Sequence, residues 1–207
     1  MTLGAVWLTR RQNHDREIAE DTHQQAALQD YIDKMSELLL EKHLRQSKKD
    51  DEVRNIARLL TLAVLDQINP SRKRILLRFL QESGLINKDD TIVELNSAGL
   101  SEADLHNASL KGANLTQSDL RRANLHNADL TDTDLTNADL TNAVLNYANL
   151  TGADLRYANL TNANLTNANL SEAKLKDVIG ITVQELEKQA KSLQGATMPD
   201  GSIHPYP

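Results

Sequence analysis

Residues 158–170 read ANLTNANLTNANL, a five-residue unit repeated without interruption. The same spacing holds from Leu95 to Leu175, so seventeen leucines stand in one register. The residue two positions before each leucine is almost always alanine, with Ser118 and Thr133 as the exceptions between positions 98 and 173. A period of five fits neither the 3.6 residues of a helical turn nor the two-residue alternation of a strand. The chain must therefore turn a corner once per unit, with the leucine and the small residue both facing inward. The predicted interior ladder comprises Leu95, Leu100, Leu105, Leu110, Leu115, Leu120, Leu125, Leu130, Leu135, Leu140, Leu145, Leu150, Leu155, Leu160, Leu165, Leu170 and Leu175.

The residue before each leucine is Asp in six units and Asn in six of the seventeen. This unit, A-(D/N)-L-x-x, as in residues 163–167, resembles the signature of the pentapeptide-repeat family over roughly residues 93–178. The resemblance implies a right-handed quadrilateral β-helix in which four units complete a coil and residues twenty apart stack. It implies about four coils for this chain. Because a solenoid cannot bury its own ends, the flanking sequence is expected to act partly as caps.

The sequence divides into four regions. We predict a charged N-terminal segment over residues 1–25, a three-helix domain over 26–90, the β-helix over 91–179, and a C-terminal cap helix with a tail over 180–207. The predicted fold class is α plus β-solenoid.

Each helix of the predicted three-helix domain carries one apolar stripe at helical spacing. The second helix has Asp50 or Asp51 as its N-cap, and the third begins with Asn69 before a proline and ends near Gly84. The predicted stripes are Leu28, Ile32, Met35 and Leu39, then Val53, Ile56, Leu60, Ala63 and Val64, then Ile75, Leu76, Phe79 and Leu80.

The two ends of the chain leave alternatives open. A helix from Thr182 to Ser192, with Val183, Leu186, Ala190 and Leu193 along one side, can cover the last coil or meet a second copy, giving a monomer or a dimer. The apolar run over residues 1–8 is too short for a bilayer, which takes ~20 residues. Cyanobacterial members with a similar helical region commonly have membrane spans upstream. The run is therefore either a frayed helix start or the cytoplasmic end of such an arrangement, associated with a membrane only through a missing upstream segment.

Composition and motifs argue against catalysis. The chain contains no cysteine, which removes thiolate and zinc–thiolate chemistry and is consistent with the cytoplasm. His106 and His126 are twenty residues apart and are expected to stack, but a defined metal site needs three or four ligands, which favours a solvated pair. A tube filled with Leu and Ala leaves no pocket. We therefore predict no enzyme activity, no cofactor and no bound metal.

Surface recognition is the remaining class of function. The residues expected to project outward from the coil predict where it occurs. One face carries Arg121 and Arg122 beside acidic residues, and the face expected opposite to it carries His106, His126, Val144 and Tyr147. Val144 stands where the repeat calls for Asp or Asn. We predict a non-catalytic protein-interaction module or scaffold with an unidentified protein partner, with either neutral drift or a contact site explaining the unusual residues.

The resemblance implies one alternative function, mimicry of duplex DNA against a type II topoisomerase such as gyrase. Two features weaken it: about four coils make a rod of only ~20 Å, and residues 95–175 carry nine acidic and five basic side chains. Binding to nucleic acid is not expected, because the basic cluster Arg72, Lys73, Arg74 and Arg78 lies in a half of the chain that carries 15 basic and 15 acidic side chains. The cluster is expected to be either a solvated face or an intramolecular contact with the acidic β-helix.

Overall fold

The computed structural model describes residues 3–87 and 91–206. Four α-helices are present in this part of the chain: α1 (Leu3–Leu40), α2 (Glu52–Gln67), α3 (Pro70–Glu82) and α4 (Val183–Gln189), with a 3-10 turn at Leu44–Gln46. Residues 1–2 of the predicted N-terminal segment, 88–90 of the predicted helical domain and the last residue of the tail lie outside the described residues. None of the described helices has both the length and the apolar character needed to cross a bilayer.

The repeat forms a four-sided coil whose turns are joined by parallel bridges between residues twenty apart. These bridges run from Gly99 with Asp119 to Asn159 with Ile179. Each involves one residue per turn, so the sides are short bridges and not extended strands. Backbone N–H groups of the leucines donate across the bridges, as from Leu100 to the carbonyl of Asp119 at 2.8 Å. Together with the repeat signature, this is a right-handed quadrilateral β-helix.

The interior of the coil contains the leucine ladder and the small residues. All seventeen leucines are at most 1% exposed. The alanines are buried as well, except Ala108, which is half-buried beside α3. Ser118 and Thr133 fit among them because their hydroxyls donate to the carbonyls of Leu115 and Leu110. Burying a leucine is worth roughly 1.5–3 kcal/mol relative to exposure, so the ladder is the main stabilising element of the coil.

The corner geometry explains why Asp or Asn precedes most of the leucines. The second residue after each leucine has positive φ, 56° at Asp132 for example, a region that Asn, Asp and Gly tolerate best. The Asp or Asn side chain accepts a hydrogen bond from the backbone two residues on, as Asp129 does from Thr131 at 3.0 Å. A corner with Asp or Asn in this position therefore satisfies one backbone N–H with a side chain of its own repeat unit.

The N-terminal helix differs from the sequence prediction. The boundary expected between residues 25 and 26 is not present, because α1 is continuous from Leu3 to Leu40. Among the side chains described from residue 10 onward, the buried apolar ones of α1 lie in its C-terminal half: Leu28, Tyr31, Met35 and Leu38. The hydroxyl of Tyr31 lies 2.9 Å from that of Thr61 in α2. Since Thr61 donates to the carbonyl of Ala57, it accepts from Tyr31. Burial raises the pKa of Tyr31.

The predicted stripes of α2 and α3 are rotated in the structure. Ile56 of α2 is 41% exposed and Ile75 of α3 is 53% exposed. The reason is that both helices pack against the β-helix as well as against α1, which moves their buried faces. The buried residues are Ala57, Thr61, Val64 and Leu65 in α2, and Lys73, Leu76, Leu77 and Leu80 in α3. Of the predicted caps, Asn69 accepts from the backbone of Arg72, whereas Asp51 occupies the N-cap position but accepts from Lys48 outside the helix.

The helical unit is docked on the N-terminal end of the β-helix. Lys73 donates from Nζ to the carbonyl of Gly99 at 2.7 Å, and Arg58 donates to both the side chain and the carbonyl of Asn96. Gly99 stands in the Asp/Asn column, and a Cβ at this position would collide with Asp66 of α2. The glycine therefore lets α2 approach the first coil closely.

The C-terminal cap is more than a helix with a tail. α4 has a capping box between Thr182 and Glu185 and buries Leu186. It ends at Gln189 and not at the predicted Ser192, because Lys191 already donates to the carbonyl of Ala168 in the coil. Residues 192–197 then re-enter the β-helix, with bridges from Asn169 to Ser192 and from Lys174 to Thr197.

A hairpin closes the C-terminal end. Thr197 pairs antiparallel with Ile203, and the backbone of His204 donates to Ala196. Leu193, predicted on the helix stripe, is instead buried in this last partial coil. Of the predicted stripe, Val183 and Leu186 lie in α4: Leu186 is buried within its own chain, and Val183 is half-buried against the same core.

Candidate functional site

The filled interior confines recognition to the outer surface, where side chains project at four corners. Corners five residues apart along the chain are neighbours, and those ten apart are diagonally opposite. The corner of Arg121 and Arg122 is therefore next to that of His126 and Tyr147, and our expectation that they lie on opposite faces was wrong. The bridge column of Asp104, Asn124, Val144 and Asn164 separates them.

We name the corner formed by His106, His126, Asn146 and Tyr147, with the adjacent Val144, the His–Tyr corner. The rings of His126 and Tyr147 meet edge to face, with centroids 5.7 Å apart and an interplanar angle of 81°. Tyr147 is 55% exposed and Val144 is 37% exposed. An aromatic pair and an aliphatic side chain therefore lie together on an otherwise polar surface.

Two residues of the His–Tyr corner act against the stability of the coil. Tyr147 adopts φ of 62°, which is unfavourable for a residue with a bulky side chain. Val144 cannot accept the corner hydrogen bond that Asn124, one coil earlier, accepts from the backbone of His126 at 3.2 Å. The buried Oδ1 of Asn146, two residues after Val144, has no hydrogen-bond partner in the structure. Local strain and unsatisfied groups of this kind are concentrated at functional sites in proteins.

His106 is not the solvated imidazole that the sequence predicted. Its Nδ1 lies 2.6 Å from Oδ1 of Asp104, and its Nε2 lies 2.9 Å from Nη1 of Arg74 in α3. A guanidinium can only donate and a carboxylate can only accept, so this arrangement favours the tautomer with its proton on Nδ1. The hydrogen bond from His106 lowers the pKa of Asp104. This cluster fixes the helical unit against the N-terminal end of the His–Tyr corner.

The neighbouring arginine corner is electrostatically self-contained. Arg121 binds both carboxylate oxygens of Asp119, at 2.8 and 2.7 Å, and Arg122 lies 2.8 Å from Glu102. The hydrogen bond from Arg121 lowers the pKa of Asp119. These side chains are largely exposed, so each pair adds little stability. The charges of Arg121 and Arg122 are therefore neutralised by Asp119 and Glu102 on the same surface.

No group of three His, Asp or Glu side chains in the described ranges is arranged to hold a metal ion. The basic cluster of α3 is used internally instead. Arg72 binds Asp21 of α1, Lys73 and Arg74 contact the β-helix, and Arg78 pairs with Glu82.

Comparison with known proteins identifies the repeat. The sequence model of pentapeptide repeats matches residues 98–137 and 133–172. The pentapeptide repeat protein alr5209 from Nostoc PCC 7120 is 31% identical over 56% of this chain and 94% of its own, with a TM-score of 0.31. The chain belongs to the pentapeptide-repeat family. Members of this family act as protein-interaction modules.

Two other solved structures of pentapeptide-repeat proteins resemble this one. Rfr23 from Cyanothece 51142 is 44% identical over 49% of this chain and 63% of its own, with a TM-score of 0.38. HetL from Nostoc sp. strain PCC 7120, involved in heterocyst differentiation regulation, is 35% identical over 54% and 62%, with a TM-score of 0.31. This pentapeptide-repeat protein thus spans about three fifths of the length of each. A search of curated proteins found no match.

Sequence reasoning missed Gly99 as a contact residue of this pentapeptide-repeat protein. It included a contact of the basic cluster of α3 with the β-helix among its expectations, which Lys73 and Arg74 confirm, but it did not identify His106 as the partner of Arg74. Gly99 breaks the Asp/Asn column, and that departure was a usable signal for a close approach. Arg74 had no such signal, because its contact with His106 depends on how α3 is placed over the first coil. Tyr157, 54% exposed at a corner diagonal to Tyr147, was also missed although it occupies an equivalent repeat position.

Proposed function

We propose that this protein is a non-catalytic recognition module and that a protein partner binds its His–Tyr corner. The observation that carries the proposal is the pairing of exposed Tyr147 with His126 beside Val144, on a coil whose interior is filled. Aromatic residues are enriched at protein interfaces, since they bury a large area at low entropic cost. The coil of about four turns would present them on a rigid support.

The helical unit contributes to the same surface. Arg74 places α3 against His106 at one end of the corner, and the groove between them is lined by Leu77, Ala108 and Leu110. The other alanines of the repeat are buried, but Ala108 in this groove is only half-buried. We therefore infer that a partner contacts both the coil and α3 at this groove.

The experiment compares partner capture from the native host by three full-length proteins. The wild type is compared with the double variant Val144→Asn, Tyr147→Asn, which restores the repeat pattern without removing any contact of the core. The matched control is Tyr157→Asn, which removes an equally exposed tyrosine from the diagonal corner, where φ is 61°. We expect the double variant to lose the captured protein and the control to retain it.

Two outcomes would contradict the proposal. Equal capture by the wild type and the double variant would exclude the His–Tyr corner as the contact. Loss of capture by the Tyr157 control alone would move the contact to the diagonal corner.

A further inference from the structure

A second concave site lies away from the His–Tyr corner, between the loop that follows α1 and one side of the β-helix. The cleft has a volume of about 790 Å³, within the range of ligand-binding clefts in proteins. One wall is the loop of residues 45–49, and the other contains Glu94, Asn114 and Asp134. Gly112, at a corner of the coil, carries no side chain to narrow the opening.

The basic wall is held in place by contacts on its inner side. Leu44 is fully buried, and Ser47 donates to its carbonyl at 2.6 Å. Arg54 of α2 donates to Oγ and the carbonyl of Ser47, and also to the carbonyl of Thr91. The loop is therefore anchored to both α2 and the start of the coil, and does not depend on its outer side chains for its conformation.

The outer side of this loop carries three exposed cations. Arg45, Lys48 and Lys49 are exposed, and none of them takes part in an ion pair among the described residues. The carboxylates opposite form hydrogen bonds that keep them oriented: Glu94 accepts from Asn114 at 2.6 Å and Asp134 from the backbone of Thr136 at 3.0 Å. The cleft thus has one basic and one acidic wall. Among the described residues neither Glu94 nor Asp134 forms an ion pair, although Asp134 is near enough to Arg156 to raise the pKa of that guanidinium.

We propose that this cleft binds an extended polypeptide segment in which acidic and basic side chains alternate. Successive side chains of an extended chain point to opposite sides. An alternating sequence therefore directs its acidic row toward Lys48 and Lys49 and its basic row toward Glu94 and Asp134. A polyanion would be repelled by the carboxylate wall, and a polycation by the lysine wall. Only a ligand with both charges on opposite edges complements both walls.

The test is fluorescence anisotropy with the full-length protein and labelled peptides of equal length. Four peptides are compared: alternating Glu and Lys, the same composition in two blocks, all Glu, and all Lys. We expect the alternating peptide to bind about tenfold more tightly than any other, a difference of ~1.4 kcal/mol. Raising ionic strength from ~0.01 to ~0.15 M should weaken binding, because the Debye length falls from ~30 to ~8 Å.

Variants of each wall make the proposal specific. The variant Lys48→Glu, Lys49→Glu leaves two acidic walls and should then prefer the all-Lys peptide. The variant Glu94→Gln, Asp134→Asn keeps side-chain acceptors but removes the acidic charge, and should prefer the all-Glu peptide. The control Arg121→Glu, Arg122→Glu changes the corner diagonally opposite to that of Gly112, away from the cleft. It should bind the alternating peptide like the wild type.

Three results would overturn the inference. They are equal binding of the alternating and block peptides, tighter binding of the all-Glu peptide by the wild type, and no saturable binding of any peptide at low salt. Circular dichroism of each variant checks that the helices are retained, so that lost binding reports on charge.

Discussion

The Nζ atom of Lys73 lies 2.7 Å from the carbonyl oxygen of Gly99, and this contact joins α3 to the first coil of the β-helix. Lys73 is buried, and burial lowers its pKa against the opposing attraction of Asp66, Asp119 and Glu102. A buried cation is costly unless it is hydrogen-bonded or paired. The carbonyl of Gly99 therefore has to stay in place for the helical unit to dock.

Gly99→Asp should destabilise docking although Asp is the residue that the repeat prefers. Its Cβ would overlap the carboxylate of Asp66, which would have to swing aside, and its charge would lie next to that carboxylate. We expect faster amide hydrogen exchange in α2 and α3, with the middle of the coil unchanged. Asn164→Asp, in the same repeat position but in a coil remote from the helical unit, keeps the corner acceptor, and this control should leave exchange as in the wild type. Unchanged exchange in both variants would mean that the close approach at Gly99 is not needed.

Leu135→Ala should show that the ladder holds the coil together. Leu135 is fully buried in mid-stack, and its truncation leaves a cavity in a rigid interior. We expect a loss of ~2–5 kcal/mol in the free energy of unfolding, measured by chemical denaturation. Leu40→Ala, at a site that is 76% exposed, should cost far less. A loss of less than ~0.5 kcal/mol in the free energy of unfolding of Leu135→Ala would contradict the role of the ladder.

The Val144→Asn, Tyr147→Asn variant should be more stable than the wild type. Asn at position 144 can accept from the backbone of Asn146, a bond worth ~1 kcal/mol. Asn at position 147 tolerates the positive φ that is unfavourable for tyrosine. We therefore expect a higher melting temperature together with the loss of partner binding proposed above. A lower melting temperature would show that the His126–Tyr147 contact stabilises the fold and is not retained for recognition.

Asp154 should make stability depend on pH in the acidic range. Burial acts to raise the pKa of Asp154, but the hydrogen bonds from Arg156 and Lys174 outweigh it, so the pKa is lowered. A lowered folded-state pKa adds stability above the ordinary value of ~3.9, and this stability is lost as the pH falls through the folded-state value. The stability difference between wild type and Asp154→Asn should therefore be largest near neutral pH and shrink below pH ~4. Arg156→Gln should reduce this pH dependence, and a difference that is constant with pH would contradict the pairing.

The sequence predicted the coil far better than the helical unit. In the coil, each repeat unit carries its own inward leucine, its own small residue and its own corner acceptor, so local sequence is sufficient. The stripes of α2 and α3 were only partly right: Val64, Leu76 and Leu80 are buried as predicted, but other members are exposed. A helix in contact with two neighbours has two apolar sides, and periodicity alone does not show which residues face which neighbour. Ile56 and Ile75 are examples. Both fit the helical spacing of the predicted apolar stripes, but both are exposed in the structure.

The C-terminal end was only partly predictable for a similar reason. The capping box of Thr182 and Glu185 is a local signal and marks the start of α4. The return of the chain into the coil at Ser192 is not local, because it depends on a shift of the twenty-residue register to the pairing of Asn169 with Ser192. The His–Tyr corner stood out in the sequence through Val144 and Tyr147, whereas its ring contact required the stacking of two coils.

The last prediction separates protein recognition from mimicry of DNA. We expect no inhibition of supercoiling by gyrase at micromolar concentrations of this protein. A mimic must present a continuous row of negative charge, since duplex DNA carries one charge per ~1.7 Å. Here Arg121 and Arg122 neutralise Asp119 and Glu102 on the surface. Supercoiling assays with increasing protein measure the effect directly, and added salt should weaken any electrostatic competition with DNA.

The variant Arg121→Glu, Arg122→Glu makes that surface more acidic. Inhibition by the wild type, and stronger inhibition by this variant, would replace the recognition proposal with DNA mimicry, whereas no inhibition by either leaves the His–Tyr corner as the surface to test against a protein partner.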